Sequence, residues 1–345
     1  MLKKIFRFLF SMGLLLGGVL FYLYYLHFVK ANIVSEGDET ELFIRPNATV
    51  ATVQANLKNL GILENPDAFS FLAGIKNYKG NNIVAGKYVI RNGMTNNELI
   101  NHLRAGNGKQ AISITINLER ELKQISGTLA RDIMIDSATV YNWLSSESNA
   151  QSLGFSQETI IAMFIPNTYF IDWDVSAENL MKRMKAEYDR FWNNDRLTKL
   201  KNTGLTQQEV ATLASIVYWE TKIPQDMRTV AGVYINRLRK GIALQADPTL
   251  IFALGDYSIK RVLNKDKELE SPYNTYKYAG LPPGPILIPP VNCIDAVLEF
   301  GNHNFYYFVA KEDLSGGTYF SRTYEEHLRY AAKYQRALNR RRVFR

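Results

Sequence analysis

One glutamate combines a reactive side chain with apolar neighbours. Glu220 ends the run LASIVYWE at residues 213–220. If residues 207–221 form a helix, the positions three, four and seven residues before Glu220, which adjoin it on the helix surface, are apolar: Val217, Ile216 and Leu213. A carboxylate beside apolar side chains is poorly solvated, which raises its pKa and favours the protonated form. The pattern therefore predicts a general acid, although a glutamate at a helix end that reaches into water fits the same residues.

Four further polar motifs follow Glu220. In chain order they are INRL (235–238), LQADPT (244–249), YNTY (273–276) and GLPPGP (280–285). Together with the Glu220 run they resemble, in order and at similar spacing, the motifs of the endolytic murein transglycosylase family, the MltG/YceG-like proteins. Five ordered matches are specific, and the resemblance covers most of the chain.

This resemblance implies a lytic transglycosylase that cuts the bond between N-acetylmuramic acid and N-acetylglucosamine in peptidoglycan. The muramoyl 6-hydroxyl closes on its own C1 and leaves a 1,6-anhydro end, so no water is consumed. Glu220 would first donate a proton to the glycosidic oxygen and then accept the hydroxyl proton. One carboxyl group suffices because the nucleophile is intramolecular, whereas ordinary glycosidases use two. The resemblance also implies that the enzyme ends nascent glycan strands near the membrane.

The same resemblance indicates which polar residues would hold the sugar and stabilise positive charge at C1. The predicted substrate-binding residues are Gln245, Asp247, Thr249, Tyr273, Asn274, Thr275 and Tyr276. Structural roles fit them too, since Asp247-Pro248 is a common turn initiator and Asn274-Thr275 could cap a loop. Asn236 and Arg237 could contact substrate or bridge their helix to neighbouring segments.

Three positions depart from the family pattern. Tyr218 stands where the family has a first acid, which leaves Glu220 as the single candidate, and Asn167 replaces an aspartate in IPNTY (165–169). The residues Ile161-Ala-Met163 stand in the stretch that often holds a Glu-Gly pair. These departures keep open a catalytically impaired peptidoglycan-binding or scaffold protein. A conventional hydrolase also stays open and would need Asp247 as a second carboxylate.

The N-terminus predicts a membrane anchor. Residues 8–29 are uncharged and largely apolar, and a bilayer is spanned by about 20 such residues. They follow Lys3, Lys4 and Arg7, end in aromatic residues, and show no Ala-x-Ala cleavage site. We therefore expect an uncleaved single-pass anchor in the inner (plasma) membrane, a cytoplasmic flank at residues 1–7, and an extracytoplasmic remainder.

Composition and charge limit the classes of molecule that the protein is expected to bind. The net charge of +8 is concentrated in the N-terminal flank and in a basic tail at residues 340–345, and no zinc spacing or RNA-binding signature accompanies it. We expect no nucleic-acid partner, no cofactor and no metal, because the four histidines are scattered. The single cysteine, Cys293, is predicted to be a buried apolar residue. The expected partners are peptidoglycan glycan strands and the membrane, with a peptidoglycan synthase as a further candidate.

The predicted fold class is α+β, with a transmembrane helix, a small LysM-like α/β subdomain and a mixed α+β catalytic domain. A linker covers residues 30–41, the LysM-like subdomain 42–110 and the catalytic domain 111–345. Within 42–110 the periodicity predicts strand, helix, helix, strand and helix, with Thr95 as a helix N-cap. Whether this subdomain contacts glycan or only positions its neighbour is open.

The pattern of the larger domain is mainly helical. We predict one amphipathic helix over residues 176–200 and a capping box of Thr206 and Glu209 before the Glu220 helix. A further helix spans 229–240, and the proline-rich residues 282–290 form a stiff loop. A strand pair around Gly316-Gly317 and a final helix at about 325–338 complete the domain.

Overall fold

The chain folds into two compact units. The computed structural model describes residues 2–106 and 108–341, so the last residues of the basic tail lie outside the described part. Unit 1 comprises Met1–Ser113, Asp132–Ile135 and Phe170–Val175. Unit 2 comprises Ile114–Arg131, Asp136–Tyr169 and Ser176–Arg345. Helices and strands occur in both, which confirms the mixed α+β class.

Unit 1 begins with a long apolar helix. Helix α1 (Leu2–Tyr24) continues into a π-helical turn, Tyr25–Val29. The span Lys3–Val29 has a mean hydropathy of 1.8 over its most apolar window and is long enough to cross a membrane. A membrane anchor and a signal sequence share these properties. At its end, Phe28 packs against the core of unit 1 and the His27 ring lies 4.5 Å from that of Phe71.

The rest of unit 1 is a small sheet covered by helices. Its elements are β1 (Glu39–Ile44), α2 (Val50–Asn59), α3 (Pro66–Ile75), β2 (Gly86–Arg91) and α4 (Asn96–Ala105). The predicted order of strands and helices is thus confirmed, whereas the likeness to LysM stays a prediction. β1 and β2 pair antiparallel, from Glu39 opposite Arg91 to Ile44 opposite Gly86. Thr95 caps α4 through a capping box with Glu98, as predicted for the N-cap.

Two further strands form a small sheet of their own. β3 (Ala111–Ile116) pairs with β4 (Asn167–Asp172) in a two-stranded sheet. β3 alternates exposed and buried residues, because successive side chains of a strand point to opposite faces. The departure Asn167 is the exposed first residue of β4, and its side chain accepts a bond from the Thr168 amide.

Unit 2 is built mainly of helices. They are α5 (Leu122–Leu129), α6 (Ser137–Leu144), α7 (Glu147–Ser152), α8 (Ala177–Phe191), α9 (Asn194–Thr203), α10 (Gln207–Glu220), α11 (Pro224–Lys240), α12 (Asp247–Leu254), α13 (Val291–Leu298) and α14 (Tyr324–Arg340). The antiparallel strands β5 (Tyr307–Ala310) and β6 (Thr318–Ser321) form a hairpin before α14. Cys293 in α13 is fully buried, as predicted.

The prediction of one helix over residues 176–200 is wrong. Helix α8 ends at Phe191, and Asn193 caps a separate helix α9 by accepting a bond from the Arg196 amide. Asparagine favours such caps because its side-chain oxygen satisfies an amide that has no partner within the helix. Helical patterns on both sides of Asn193 hid this break.

The proline-rich segment after Gly280 is a loop without helix or strand, as predicted. It lies close to the backbone before β4, since a Cβ on Gly284 would come within 1.9 Å of the Glu158 carbonyl oxygen. The Ile286 amide donates to the buried Ser215 hydroxyl of α10 at 3.1 Å, and the Ile288 amide donates to the Glu119 carbonyl at 2.8 Å. These contacts fix the loop beside the helix that ends at Glu220.

Candidate active site

Helix α10 presents Glu220 at its carboxyl end. The Thr206 hydroxyl accepts from the Glu209 amide, and the Glu209 carboxylate accepts from the Thr206 amide, so the predicted capping box starts the helix. Eight consecutive residues from Val210 to Val217 are buried. The helix ends because Thr221 is extended (φ −146°, ψ 144°), and α11 starts at Pro224. This short turn places α11 next to the end of α10.

A tyrosine of α11 holds the Glu220 carboxyl. The Tyr234 hydroxyl donates a hydrogen bond of 2.6 Å to Glu220 Oε1. Tyr234 is only 1% exposed, and its ring meets that of Phe308 edge-on at 5.5 Å. Because packing fixes the Tyr234 ring, its bond fixes the orientation of the carboxyl and leaves Oε2 as the oxygen that can carry a transferable proton.

The surroundings of Glu220 favour its protonated form. Burial raises the pKa of the Glu220 carboxyl to about 7, the Asp247 carboxylate adds to this rise, and Tyr234 and Arg237 oppose it. Val217, Ile216 and Leu213 are fully buried, so the apolar helix face predicted from their spacing is present. The carbonyl end of a helix also disfavours a negative charge. A carboxyl with a pKa near neutrality can both donate and accept a proton.

Asp247 provides a second carboxylate near Glu220. It is the first residue of α12, and Tyr276 donates a hydrogen bond to its Oδ1. Asp247 keeps an exposed surface, yet burial of its carboxyl raises its pKa, against the lowering effects of Tyr276 and Lys267. Two of the predicted residues, Asp247 and Tyr276, are therefore brought together with Glu220.

Two other predicted residues, Thr249 and Thr275, form a buried network with the backbone before α12, next to a third, Gln245. The Thr249 and Thr275 hydroxyls lie 2.8 Å apart, and both are at most 1% exposed. Thr275 also bonds the Ala246 amide at 3.0 Å, and its carbonyl accepts from the Gln245 amide at 2.9 Å. Gln245 is exposed and has a positive φ of 51°. The two threonines thus hold the turn that presents Gln245 and Asp247.

Asn274 is also a positioning residue in this geometry. It is fully buried, its amide group donates to the carbonyls of Lys267 and Leu269, and its Oδ1 accepts from the Tyr276 amide. Tyr273 packs on Phe252 with ring centroids 4.8 Å apart, and burial raises its pKa to about 12. The motif at residues 273–276 therefore anchors its own loop through Asn274 and directs Tyr276 to Asp247.

Asn236 and Arg237 bridge α11 to neighbouring segments. Asn236 donates to the carbonyls of His303 and Phe305, at 2.7 and 3.1 Å. Arg237 is 6% exposed and donates to the carbonyls of Tyr306, Ala243 and Leu244. These bonds confirm the bridging interpretation of both residues. Since the partners of Arg237 are uncharged, its positive charge also acts on Glu220 and lowers the pKa of that carboxyl.

Comparison with known proteins identifies the family. A profile of the YceG-like family matches residues 42–333. The chain belongs to the YceG-like family. It is 29% identical over 306 residues to the endolytic murein transglycosylase of Bacillus subtilis, covering 84% of this chain and 83% of that protein. A Streptococcus pneumoniae protein of the same name is 26% identical over 320 residues, but only 57% of its length is covered.

A solved relative has a similar fold. The crystal structure of a YceG-like protein from Listeria monocytogenes superposes with a TM-score of 0.55 at 26% identity. The match covers 85% of this chain and 98% of that one. Family membership therefore extends over both units and confirms the resemblance inferred from the motifs.

Sequence reasoning on this YceG-like chain missed the role of Tyr234. Tyr234 lies in the predicted helix over residues 229–240 and is buried, but its bond to Glu220 depends on how α10 and α11 pack. A polar hydroxyl among the apolar residues of a core face was the available signal, since buried hydroxyls need partners. Within the described residues, no cluster of three metal-ligating side chains occurs.

Proposed function

We propose that this protein is a membrane-anchored endolytic transglycosylase of peptidoglycan with Glu220 as its catalytic acid and base. The observation that carries the proposal is the Glu220 carboxyl itself, which has a pKa raised to about 7 and a single tyrosine donor at 2.6 Å. Family membership and the names of the relatives supply the substrate.

In the first step, protonated Glu220 donates its proton from Oε2 to the glycosidic oxygen between the muramoyl C1 and the next sugar. The C1–O bond breaks, and the leaving N-acetylglucosamine keeps that oxygen as a hydroxyl. In the second step, the muramoyl 6-hydroxyl oxygen bonds to C1 and its proton passes to the Glu220 carboxylate. The acid is regenerated, and because the nucleophile belongs to the substrate, no water is consumed.

The remaining site residues divide into two roles. Asp247, oriented by Tyr276, lies near Glu220 and stabilises the positive charge that develops at C1. Gln245 and Tyr273 are the other partly or fully exposed candidates for sugar contacts. The buried residues Thr249, Asn274 and Thr275 act by holding the turns that carry Gln245, Asp247 and Tyr276.

The N-terminal helix would keep this reaction at the membrane. Lys3, Lys4 and Arg7 precede the apolar span, which favours a cytoplasmic N-terminus and an extracytoplasmic active site. The enzyme would then end nascent glycan strands close to the bilayer, where a peptidoglycan synthase is a candidate partner. The LysM-like subdomain at residues 42–110 would position the catalytic domain at residues 111–345 or contact the glycan.

One observation supports a second candidate function. The carboxylate of Asp247 is close enough to raise the pKa of Glu220, and glycoside hydrolases use such a pair, with the second carboxylate activating water or attacking the sugar. A hydrolase would leave reducing ends instead of anhydro ends.

Mass analysis of the products separates these functions. The full-length protein in detergent is incubated with purified glycan strands, and the released ends are compared by mass. We expect 1,6-anhydro ends, which are one water lighter than reducing ends, from the wild type and none from Glu220→Gln. Reducing ends would establish the hydrolase, and strand binding without new ends would establish a scaffold. Anhydro ends from the Glu220→Gln protein would refute the assignment of Glu220.

A further inference from the structure

Two cations lie on aromatic rings beside Glu220. The Arg120 guanidinium carbon is 4.8 Å from the ring centroid of Trp219 and 4.4 Å from that of Tyr257. The Lys222 ammonium is 3.2 Å from the ring centroid of Tyr218 and 5.7 Å from that of Trp219. Trp219 immediately precedes Glu220 in the chain, so this group, here called the Arg120 cluster, adjoins the proposed acid. All five residues belong to unit 2.

Among the described residues, no carboxylate forms an ion pair with the Arg120 guanidinium. Its Nε is buried and has no hydrogen-bond partner among the described residues. The adjacent Glu119 is engaged elsewhere, since its two oxygens accept from the Asn117 amide and the Thr128 hydroxyl, each at 3.0 Å. A buried donor without a partner is costly, and the remaining donors of the guanidinium are free of carboxylate partners among the described residues.

Lys222, whose side chain is exposed, is the second cation of the Arg120 cluster. Its ammonium donates to the Tyr218 carbonyl and forms no ion pair among the described residues. Burial lowers its pKa, Cys293 opposes this effect, and the Arg120 charge lowers the pKa further. Two neighbouring cations that disfavour each other would both be stabilised by an anion between or beside them.

The geometry suits a carboxylate. The N–H donors of a guanidinium lie in its plane, so an arginine that stacks on rings keeps them available at its edge, where they match the two oxygens of a carboxylate. The contacts with Trp219 and Tyr257 also restrict the rotamers of Arg120 before any ligand arrives, which lowers the entropy cost of binding.

We propose that the Arg120 cluster binds a carboxylate of the stem peptide carried by a muramoyl residue of the substrate. This inference rests on the proposed function, because the glycan backbone of peptidoglycan is uncharged in intact strands and its free carboxylates lie on the peptide arms. Since Trp219 adjoins Glu220, a peptide held at the cluster would belong to the muramoyl residue being cleaved or to its neighbour. The cluster would thus select strands that bear peptides with free carboxylates.

The test compares two substrates that differ only in charge. One is purified glycan strands with intact stem peptides, freed of secondary wall polymers, and the other is the same strands with the peptide carboxylates amidated. For full-length Arg120→Gln we expect kcat/KM to fall about tenfold or more on the intact strands, the value of a lost charge-assisted hydrogen bond, and less than twofold on the amidated strands. Lys222→Gln should give a smaller loss with the same selectivity.

A matched control and a binding measurement keep the test decisive. Arg239 also stacks on a ring, with its guanidinium carbon 5.1 Å from the centroid of Phe300. Because Arg239 is not part of the Arg120 cluster, Arg239→Gln should leave kcat/KM unchanged on both substrates. Binding of both strands in a Glu220→Gln background needs no turnover and should show the same selective loss on adding Arg120→Gln. An equal loss on intact and amidated strands, or no loss on either, would overturn the carboxylate subsite. Missing anhydro ends from the wild type would instead contradict the proposed function.

Discussion

A carboxyl group lies at the carbonyl end of α10, and another lies at the amide end of α12. Glu220 is the last residue of α10, and Asp247 is the first residue of α12. Each carboxyl accepts a hydrogen bond from a tyrosine, Tyr234 or Tyr276, and burial raises the pKa of each. The two sites nevertheless differ in the backbone around them.

The helix ends separate the two carboxyls. The carbonyl end of α10 disfavours a negative charge on Glu220, whereas the amide end of α12 favours one on Asp247. Glu220 also lies in the more buried setting, with a pKa of about 7, while Asp247 keeps an exposed surface. The comparison indicates that Glu220 is suited to carry a proton near neutral pH, whereas the helix end at Asp247 favours its anion. Helix direction and burial thus favour Glu220 as the acid and Asp247 as the group that stabilises positive charge.

The largest expected effect is the difference in catalytic rate between variants of the two carboxyls. Glu220→Gln should lower the rate of anhydro-end formation by about a thousandfold or more, because a positioned general acid contributes 10²–10⁴-fold and here the same group is also the base. Asp247→Asn, which removes only a stabilising charge, should cost about ten- to a hundredfold. Initial rates on purified strands give both values. Glu209→Gln, which keeps its capping bond at the other end of α10, is the control. Equal losses in the two variants would show that the carboxyls share the chemistry.

The next effect is a pH-dependent cost in stability at Glu220. The folded-state pKa is raised from 4.5 to about 7, so the folded protein holds a proton that the unfolded chain has lost. The free energy of unfolding therefore falls as pH rises from about 4.5 to about 7. Above about pH 7 the full cost of burying the charged Glu220 carboxylate is present. Glu220→Gln should be more stable than the wild type at pH 8 by roughly 1–3 kcal/mol and equal to it below about pH 4.5. Thermal unfolding of both proteins across this range measures the difference, and a gap that does not change with pH would contradict it.

The smallest effect concerns the hydroxyl of Tyr234. Its bond stabilises the Glu220 carboxylate, so Tyr234→Phe should raise the pKa of Glu220 and shift the alkaline limb of the kcat/KM profile upward by up to about one pH unit. Profiles measured for the wild type and for Tyr188→Phe, a buried tyrosine that bonds Gln207, are the controls. An unchanged limb in Tyr234→Phe would mean that Tyr234 and Glu220 do not interact in solution.

Local signals predicted individual elements well. The N-cap at Thr95, the capping box at Thr206, the proline-rich loop and the C-terminal hairpin each depend on residues close in sequence, and the structure has all of them. The break at Asn193 was missed because helical patterns lie on both sides of it and a single capping residue marks the boundary. Local chemistry of a single residue is harder to recognise than periodicity over many.

The sequence by itself determined the family, the apolar N-terminal span and Glu220 as the candidate acid, because ordered motifs and hydrophobic patterns are properties of the chain. Only the tertiary structure decided what surrounds that acid. Tyr234 reaches Glu220 because α11 turns back after Thr221, and Arg120 reaches Trp219 from a segment distant in sequence. The pKa of a carboxyl depends on burial and on nearby charges, and both arise from contacts between residues far apart in the chain.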